Sequence, residues 1–346
     1  MSKEALAVKY RPRRFADVTE QDVTKAILTE QLKNKTFRNC LLFCGGAGTG
    51  KTTSARIFAN EINDFKGHVI EIDAASHNGV DDARNIIDDA RTQALDSEYK
   101  VFVIDECHMI TTQGWNCLLK LVEEPPKKSI FIFATTDPQK IPNTILSRVQ
   151  RYNFQKISTP GIINRLKYII EQENKEDESN QITFDESAIE FIAKQADGGM
   201  RDAITLLDKC IGYNNNLSIE NVLQALGSVS YETMFELTTA LDKMDATTVI
   251  RTIEEIHKTG LDLKQFINNY KNFILDLCKY NLFKDFEYLQ TPSIYEVNMK
   301  SYSPESFEFF GLLLNELLKL GDKLKWETSP KPLVESTLFN LCLEAK

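Results

Sequence analysis

The stretch FCGGAGTGKTTSARIFA, Phe43 to Ala59, constrains this chain more than any other. Gly45, Gly50, Lys51 and Thr52 satisfy the spacing G-x-x-x-x-G-K-[ST]. The run before it, Cys40 to Cys44, is apolar and of strand length, and after Lys51 the apolar positions Ala55, Phe58, Ala59 and Ile62 take helical spacing. A glycine-rich loop between a strand and a helix is the setting of a phosphate-binding P-loop. With glycine at 45, 46, 48 and 50, the backbone can curl through Ala47 and Thr49 to Thr53 so that successive N–H groups point into one anion-sized hollow. The helix N-terminus adds partial positive charge there. Lys51 is expected to reach the β- and γ-phosphates of a nucleotide, and the Thr52 hydroxyl to hold Mg²⁺.

A length of 346 residues suggests two or three domains, and 42% hydrophobic with 26% charged residues is the balance of a globular protein. No apolar run approaches the length of a membrane span, and the N-terminal MSKEALAVKYRPRR has no apolar core of a secretion signal, so a cytoplasmic protein is expected. The seven cysteines show no zinc-site spacing. Cys40 and Cys44 flank one strand, roughly 13 Å apart, too far to share a metal. The net charge of −9 argues against a protein that coats itself with nucleic acid over its whole surface.

Pro12 argues against a helix interior near the start, and Glu20 to Lys35 reads as a helix. His68 to Asp73 reads as a strand, Val80 to Leu95 as a helix, and Lys100 to Ile104 as a strand ending in Asp105 and Glu106. Thr111 or Thr112 is placed to cap a helix to about Glu123, stopped by Pro125 and Pro126, and Ser129 to Ala134 is a further strand. Strands alternating with helices predict a parallel sheet with both faces covered. After Phe154 the pattern is helical, with a charged, solvated loop expected over Glu171 to Asn180. Long helices are expected at Leu263–Leu282, Glu305–Leu320 and Pro332–Leu343.

The second chemical signal is VFVIDECH. After a complete P-loop, Asp105 at the end of an apolar strand is expected to hold Mg²⁺ through water, and Glu106 to orient and deprotonate the attacking water. Phosphoryl transfer to water needs positioning and charge neutralisation, which these carboxylates and Lys51 supply. His108, alone after the strand, reads as structural.

DECHMITTQGWNCLLKLVEEPP, ATTDPQKIPNTILSR and ADGGMRDAITLLD, with VKYRPRRFADV and VIEIDAASHNGVDDAR, together resemble the AAA+ ATPase subunits of DNA clamp loaders, and most nearly the gamma/tau family of bacterial DNA polymerase III. The resemblance covers nearly the whole chain and is strongest over Lys9–Asp208. It implies that Gly45 to Thr52 is the Walker A loop and that Asp105 with Glu106 is Walker B. Thr136 then matches sensor 1, Arg148 the arginine finger that acts on a neighbouring subunit's ATP, and Arg201 sensor 2. Tyr10, Arg11, Pro12 and Val18 match the segment around adenine. The helix opening at Asn78 and Gly79, with Arg84, is a candidate contact for DNA phosphates. On the residues alone, Arg84 and Arg91 equally well pair with Asp81, Asp82, Asp88 and Asp89.

The chain also departs from that family. Asn63 to Gly67 (NDFKG) stands where gamma/tau chains carry a four-cysteine zinc module, so no zinc is expected. Val149 replaces the cysteine that follows the finger arginine. Ending at Lys346, the chain reads as a short form without the tau tail. The expected architecture is an α/β AAA+ P-loop ATPase core (1–156), a small helical lid (157–226) and an all-α C-terminal oligomerisation collar (227–346). The expected function is to load a sliding clamp onto primer-template DNA with ATP and Mg²⁺, in a five-membered ring with other loader subunits. The alternative is another AAA+ DNA motor, such as a branch-migration helicase or a helicase loader.

Overall fold

The computed structural model describes residues 4–344 apart from 93, 95 and 287. By internal contacts the chain forms two compact units. The first holds the residues up to Arg165 together with Ala196–Thr205, and the second holds Leu166–Gln195 and the residues from Leu206 onward.

The first unit begins with a short helix α1 (Leu6–Lys9), then α2 (Asp22–Asn34), strand β1 (Cys40–Gly45) and α3 (Lys51–Glu61). It continues with β2 (Val69–Asp73), α4 (Val80–Arg91), β3 (Lys100–Asp105), α5 (Thr112–Glu123), β4 (Ser129–Thr135), α6 (Asn143–Leu146) and β5 (Gln150–Phe154). All strand pairs are parallel, in the order β2-β3-β4-β1-β5. Residues alternate between the two faces of each strand. Leu42, Cys44, Phe102, Ile104, Phe131 and Phe133 therefore pack on one side with Trp115, Leu118 and Leu121 of α5. Leu41, Phe43, Val101, Val103, Ile130 and Ile132 pack on the other with Ile57 and Phe58 of α3. A sheet buried on both faces explains why β1, β3 and β4 read as continuous apolar runs.

The cap of α5 falls on Thr111, whose side chain accepts from Gly114 N–H. Helix α4 ends at Arg91, short of the expected Leu95, which lies outside the described residues. The fifth strand, β5, was not expected. It is an edge strand with only Tyr152 and Phe154 buried, so its sequence lacks the apolar run that marks the central strands.

Next in the chain come α7 (Thr159–Glu176), a two-residue strand β6 (Thr183–Phe184), α8 (Glu186–Gln195), α9 (Met200–Tyr213), β7 (Asn216–Leu217) and α10 (Ile219–Leu226). The expected loop over Glu171–Asn180 is half helix. Asn174 pairs its amide with both backbone groups of Ile182, at 2.9 and 2.7 Å, and Glu173 is buried. The second unit is completed by α11 (Tyr231–Asp242), α12 (Ala246–Lys258), α13 (Leu263–Phe283), α14 (Glu296–Met299), α15 (Pro304–Leu324) and α16 (Pro330–Glu344). Its core is aromatic: Tyr231, Phe235, Phe273 and Tyr295 pack against one another in tilted and edge-to-face pairs, and the buried Tyr270 hydroxyl meets Thr238 Oγ1 at 2.9 Å. No described helix is long and apolar enough to cross a membrane.

Candidate nucleotide site

The parallel sheet delivers the C-terminal ends of β1 and β3 to the same edge, and each ends in a chemical segment. After β1 the chain turns through Gly45–Gly50 into α3. Gly48 has φ +68°, and a Cβ there would lie 2.9 Å from Gly199 Cα. Gly50, the N-cap of α3, has φ +98°. Both positions need glycine, one for its approach to another backbone and both for their left-handed dihedrals. The loop is tied to Met200, whose N–H donates to Gly48 O at 3.0 Å. Thr49 donates to Gly46 O at 2.9 Å, and Lys51 Nζ donates to the same oxygen at 2.7 Å.

After β3, Asp105 and Glu106 face this loop. Thr52 Oγ1 donates to Asp105 Oδ2 at 2.8 Å, and Glu106 N–H donates to Asp105 Oδ1 at 3.0 Å. Glu106 itself has φ +46°, so the chain turns sharply into a short 3-10 segment, Cys107–Met109. A non-glycine residue held left-handed beside a cluster of charges is the kind of strain that functional sites retain. Burial lowers the Lys51 pKa, and the carboxylates of Glu106 and Asp105 partly offset this by favouring its charged form.

A cleft of about 470 Å³ opens over the loop. Of the expected residues, Tyr10, Arg11, Pro12, Val18, Ala47, Gly48, Thr49, Gly50, Lys51, Thr52, Thr53, Asp105, Glu106 and Arg201 all line it. Gly45 and Gly46 underlie it in the turn from β1. The cleft also takes in residues that the spacing did not reveal: Arg56 on α3, and Arg165, whose guanidinium donates to Tyr10 O at 2.9 Å. Arg56 pairs with Glu71 at 2.5 Å. The Arg11 pKa is lowered, first by burial and then by the neighbouring charges of Arg56 and Arg201. Cations crowded against one another in a partly buried cleft gain when an anion enters.

Thr136, Arg148 and the Asn78–Gly79–Arg84 group lie outside the cleft lining, as the resemblance implies for Arg148 and the last group. Thr136 Oγ1 donates to Glu106 Oε2 at 2.9 Å and its N–H reaches the same atom at 3.3 Å. Arg148 has Nη2 2.8 Å from Glu123 Oε1 and Nη1 2.7 Å from Thr144 O. At the opening of α4, Asp82 accepts from Gly79 N–H at 3.1 Å, and the Asn78 carbonyl accepts from Thr111 N–H at 3.1 Å. Arg84 pairs with Asp81 and Arg91 with Asp88 along the exposed face of α4. Among the described residues no group of three or more His, Cys, Asp or Glu is arranged to hold a metal ion by itself.

The fold with this cleft is that of an AAA+ ATPase. Solved structures of the Thermotoga maritima RuvB Holliday junction branch migration motor superpose with a TM-score of 0.51 at 19% identity, over 67% of this chain and 79% of that one. Sequence carries the comparison further. Residues 63–158 match the family model for DNA polymerase III, delta subunit, and residues 161–216 match that for a DNA polymerase III clamp loader subunit, ATPase lid domain. Residues 217–343 match the model for DNA polymerase III subunits gamma and tau domain III. The gamma subunit of Buchnera aphidicola is 33% identical over 79% of this chain and 80% of its own length. The tau subunit of Bacillus subtilis is 34% identical over 99% of this chain and 64% of its own, and that of Escherichia coli 32% over 76% and 43%. The chain belongs to the gamma/tau family of DNA polymerase III clamp loader subunits. It spans about two thirds of the Bacillus relative and under half of the Escherichia one. Membership of an ATPase family implies that the chain binds nucleotide.

Proposed function

We propose that this chain is an ATPase subunit of a clamp loader, which couples ATP binding and hydrolysis to opening a sliding clamp and closing it on primer-template DNA. The observation that carries the reading is the meeting of Lys51, Thr52, Asp105, Glu106 and Arg201 in one cleft while Arg148 stands outside it. In this reading the N–H groups of the Gly45–Thr53 loop and Lys51 cradle the β- and γ-phosphates, and Arg201 contacts them from α9. Tyr10, Arg11, Pro12 and Val18 pack around adenine, with Arg165 holding Tyr10. Glu106 takes a proton from the attacking water, and Thr136 keeps the Glu106 carboxylate in place.

The adjacent Thr52 hydroxyl and Asp105 carboxylate are hard oxygen donors, which suits Mg²⁺ shared with phosphates and water. Bound there, Mg²⁺ would neutralise phosphate charge. Arg148 is assigned to a neighbouring subunit's site, which makes the working form a ring, five-membered by family resemblance. The division into core, lid and collar, at 1–156, 157–226 and 227–346, is supported by the order of the three matched family models. A cytoplasmic location follows from a role in replication. DNA contact by Asn78, Gly79 and Arg84 rests on resemblance alone, since the exposed Arg84 already has Asp81 as a partner.

The test is ATP hydrolysis by the chain assembled with its loader partners. Clamp and primed DNA together are expected to stimulate turnover more than either does alone. A branch-migration motor, which shares the fold, would respond to junction DNA and ignore the clamp.

A further inference from the structure

Two consecutive residues before α2 are left-handed, Glu20 with φ +53° and Gln21 with φ +56°, and neither is glycine. Strain of this kind persists where the surrounding structure demands it. Gln21 is also the N-cap of α2, a position whose side chain commonly accepts from the first N–H groups of the helix, yet it makes no such bond. Its amide is directed elsewhere. Nε2 donates to Gln155 O at 2.7 Å, and Oε1 accepts from Gln155 N–H at 3.1 Å. The same Nε2 reaches Thr49 O of the P-loop at 3.4 Å. An amide side chain carries both a donor and an acceptor, so it satisfies both backbone groups of Gln155 at once. Glu20 grips the same connection, accepting from Ser158 N–H at 3.0 Å and from the Ser158 hydroxyl.

Gln155 to Ser158 lead from β5 into α7, and beside them lies the stretch that opens α9. Ile157 N–H donates to Gly198 O at 3.1 Å, and Lys156 Nζ lies 2.6 Å from Asp197 Oδ2. Two residues after Gly198, Met200 N–H donates to Gly48 O at 3.0 Å. These bonds close a circuit. It runs from the P-loop through Gln21 to Gln155, from Ile157 to Gly198, and from Met200 back to the P-loop. Arg201 is the next residue along, and every member of the circuit belongs to the first unit.

We propose that Gln21 is a positioning residue for the nucleotide site. Its amide keeps the P-loop and the Arg201 segment in register, so that Arg201 meets the terminal phosphate of a triphosphate. The inference rests on the reading of Arg201 as a phosphate contact. It adds a residue that does not itself line the cleft. Without the amide, the N–H groups of the P-loop still face the β-phosphate, but the segment bearing Arg201 loses its fixed distance from them. The cost therefore falls on the terminal phosphate.

The experiment is equilibrium binding of ATP and of ADP by the full chain. Gln21→Ala is expected to weaken ATP about tenfold, the net worth of one or two hydrogen bonds, and ADP less than about twofold. The nearly isosteric Gln21→Glu sets a carboxylate against the carbonyls of Gln155 and Thr49, and should lose at least as much preference for ATP. It decides the matter if the alanine variant fails to fold. Adding Gln21→Ala to Arg201→Ala should weaken ATP less than about twofold further, because the group being positioned is already gone. Wild-type ATP affinity in Gln21→Ala, equal losses for ATP and ADP, or a further tenfold loss in the Arg201→Ala background would overturn the positioning role. Wild-type ATP affinity in Arg201→Ala alone would instead overturn the phosphate assignment beneath it.

Discussion

Glu106 and Lys51 both carry charge in one cleft, and they should fail differently. Glu106→Gln keeps the shape and the bonds from Thr136 but removes the proposed proton acceptor. ATP should bind normally while turnover falls by roughly 10²- to 10⁴-fold. Lys51→Ala removes a cation that reaches the loop carbonyl of Gly46 and should weaken nucleotide binding itself, measured by titration of a fluorescent ATP analogue. Gly48→Ala adds a Cβ that meets Gly199 and strains a φ of +68°, so it should weaken binding without touching any charge. Most of these residues were legible because the P-loop is local: its chemistry lies within a dozen consecutive positions. Arg56 and Arg165 were not. Arg165 reaches Tyr10 across 155 positions, and the bond of Thr136 to Glu106 spans 30. No spacing rule contains such pairs; only the folded sheet makes them neighbours.

At the level of elements, legibility followed burial. Strands β1, β3 and β4 lie inside the sheet and announce themselves as apolar runs, while edge strand β5 buries two side chains and stays hidden. The same contrast governs α13. Its apolar face is plain in sequence, but its buried Asp276 is not. Asp276 Oδ2 accepts from Gln290 N–H at 2.7 Å, Thr291 N–H at 2.8 Å and Thr291 Oγ1 at 2.9 Å, pinning the following loop to the helix. Asp276→Ala would strand those donors and should cost about 3 kcal/mol, read from urea unfolding. Burial raises the Asp276 pKa above the ordinary carboxylate value despite these bonds. Between the two values the native state holds more proton than the unfolded chain, so this group's contribution to stability falls as pH rises through the window. Asp276→Asn removes that slope. Relative to the variant, the wild type should gain stability as pH is lowered from above the raised native pKa towards the ordinary carboxylate value. The segment Asn63–Gly67 makes a second test. Asn63 pairs with both backbone groups of Tyr99, at 2.8 and 2.9 Å, which ties this connection to the start of β3. Metal analysis of the pure chain should find no stoichiometric zinc.

On the scale of the whole molecule, the question is whether hydrolysis is completed within one chain or between chains, and Arg148 decides it. Its guanidinium is bound to Glu123 and to the Thr144 carbonyl of its own chain, outside the nucleotide cleft. Both members of the ion pair are more than a third exposed, at 38% and 44%. A pair so solvated is worth at most about 1 kcal/mol. An arginine that neutralises charge growing on a transferred phosphoryl group contributes about 10³- to 10⁵-fold in rate. The surface pair is therefore weak enough to be surrendered when a neighbour's γ-phosphate is presented. It follows that Arg148→Ala should leave ATP affinity and the slow turnover of the isolated chain nearly unchanged. In the assembled loader it should remove most of the stimulation by clamp and primed DNA. Mixed assemblies sharpen the test: a wild-type subunit should rescue the site of its neighbour while its own site depends on the arginine of the next. Equal damage to the isolated chain and the assembly would mean that Arg148 acts within its own chain, and hydrolysis would no longer require a ring.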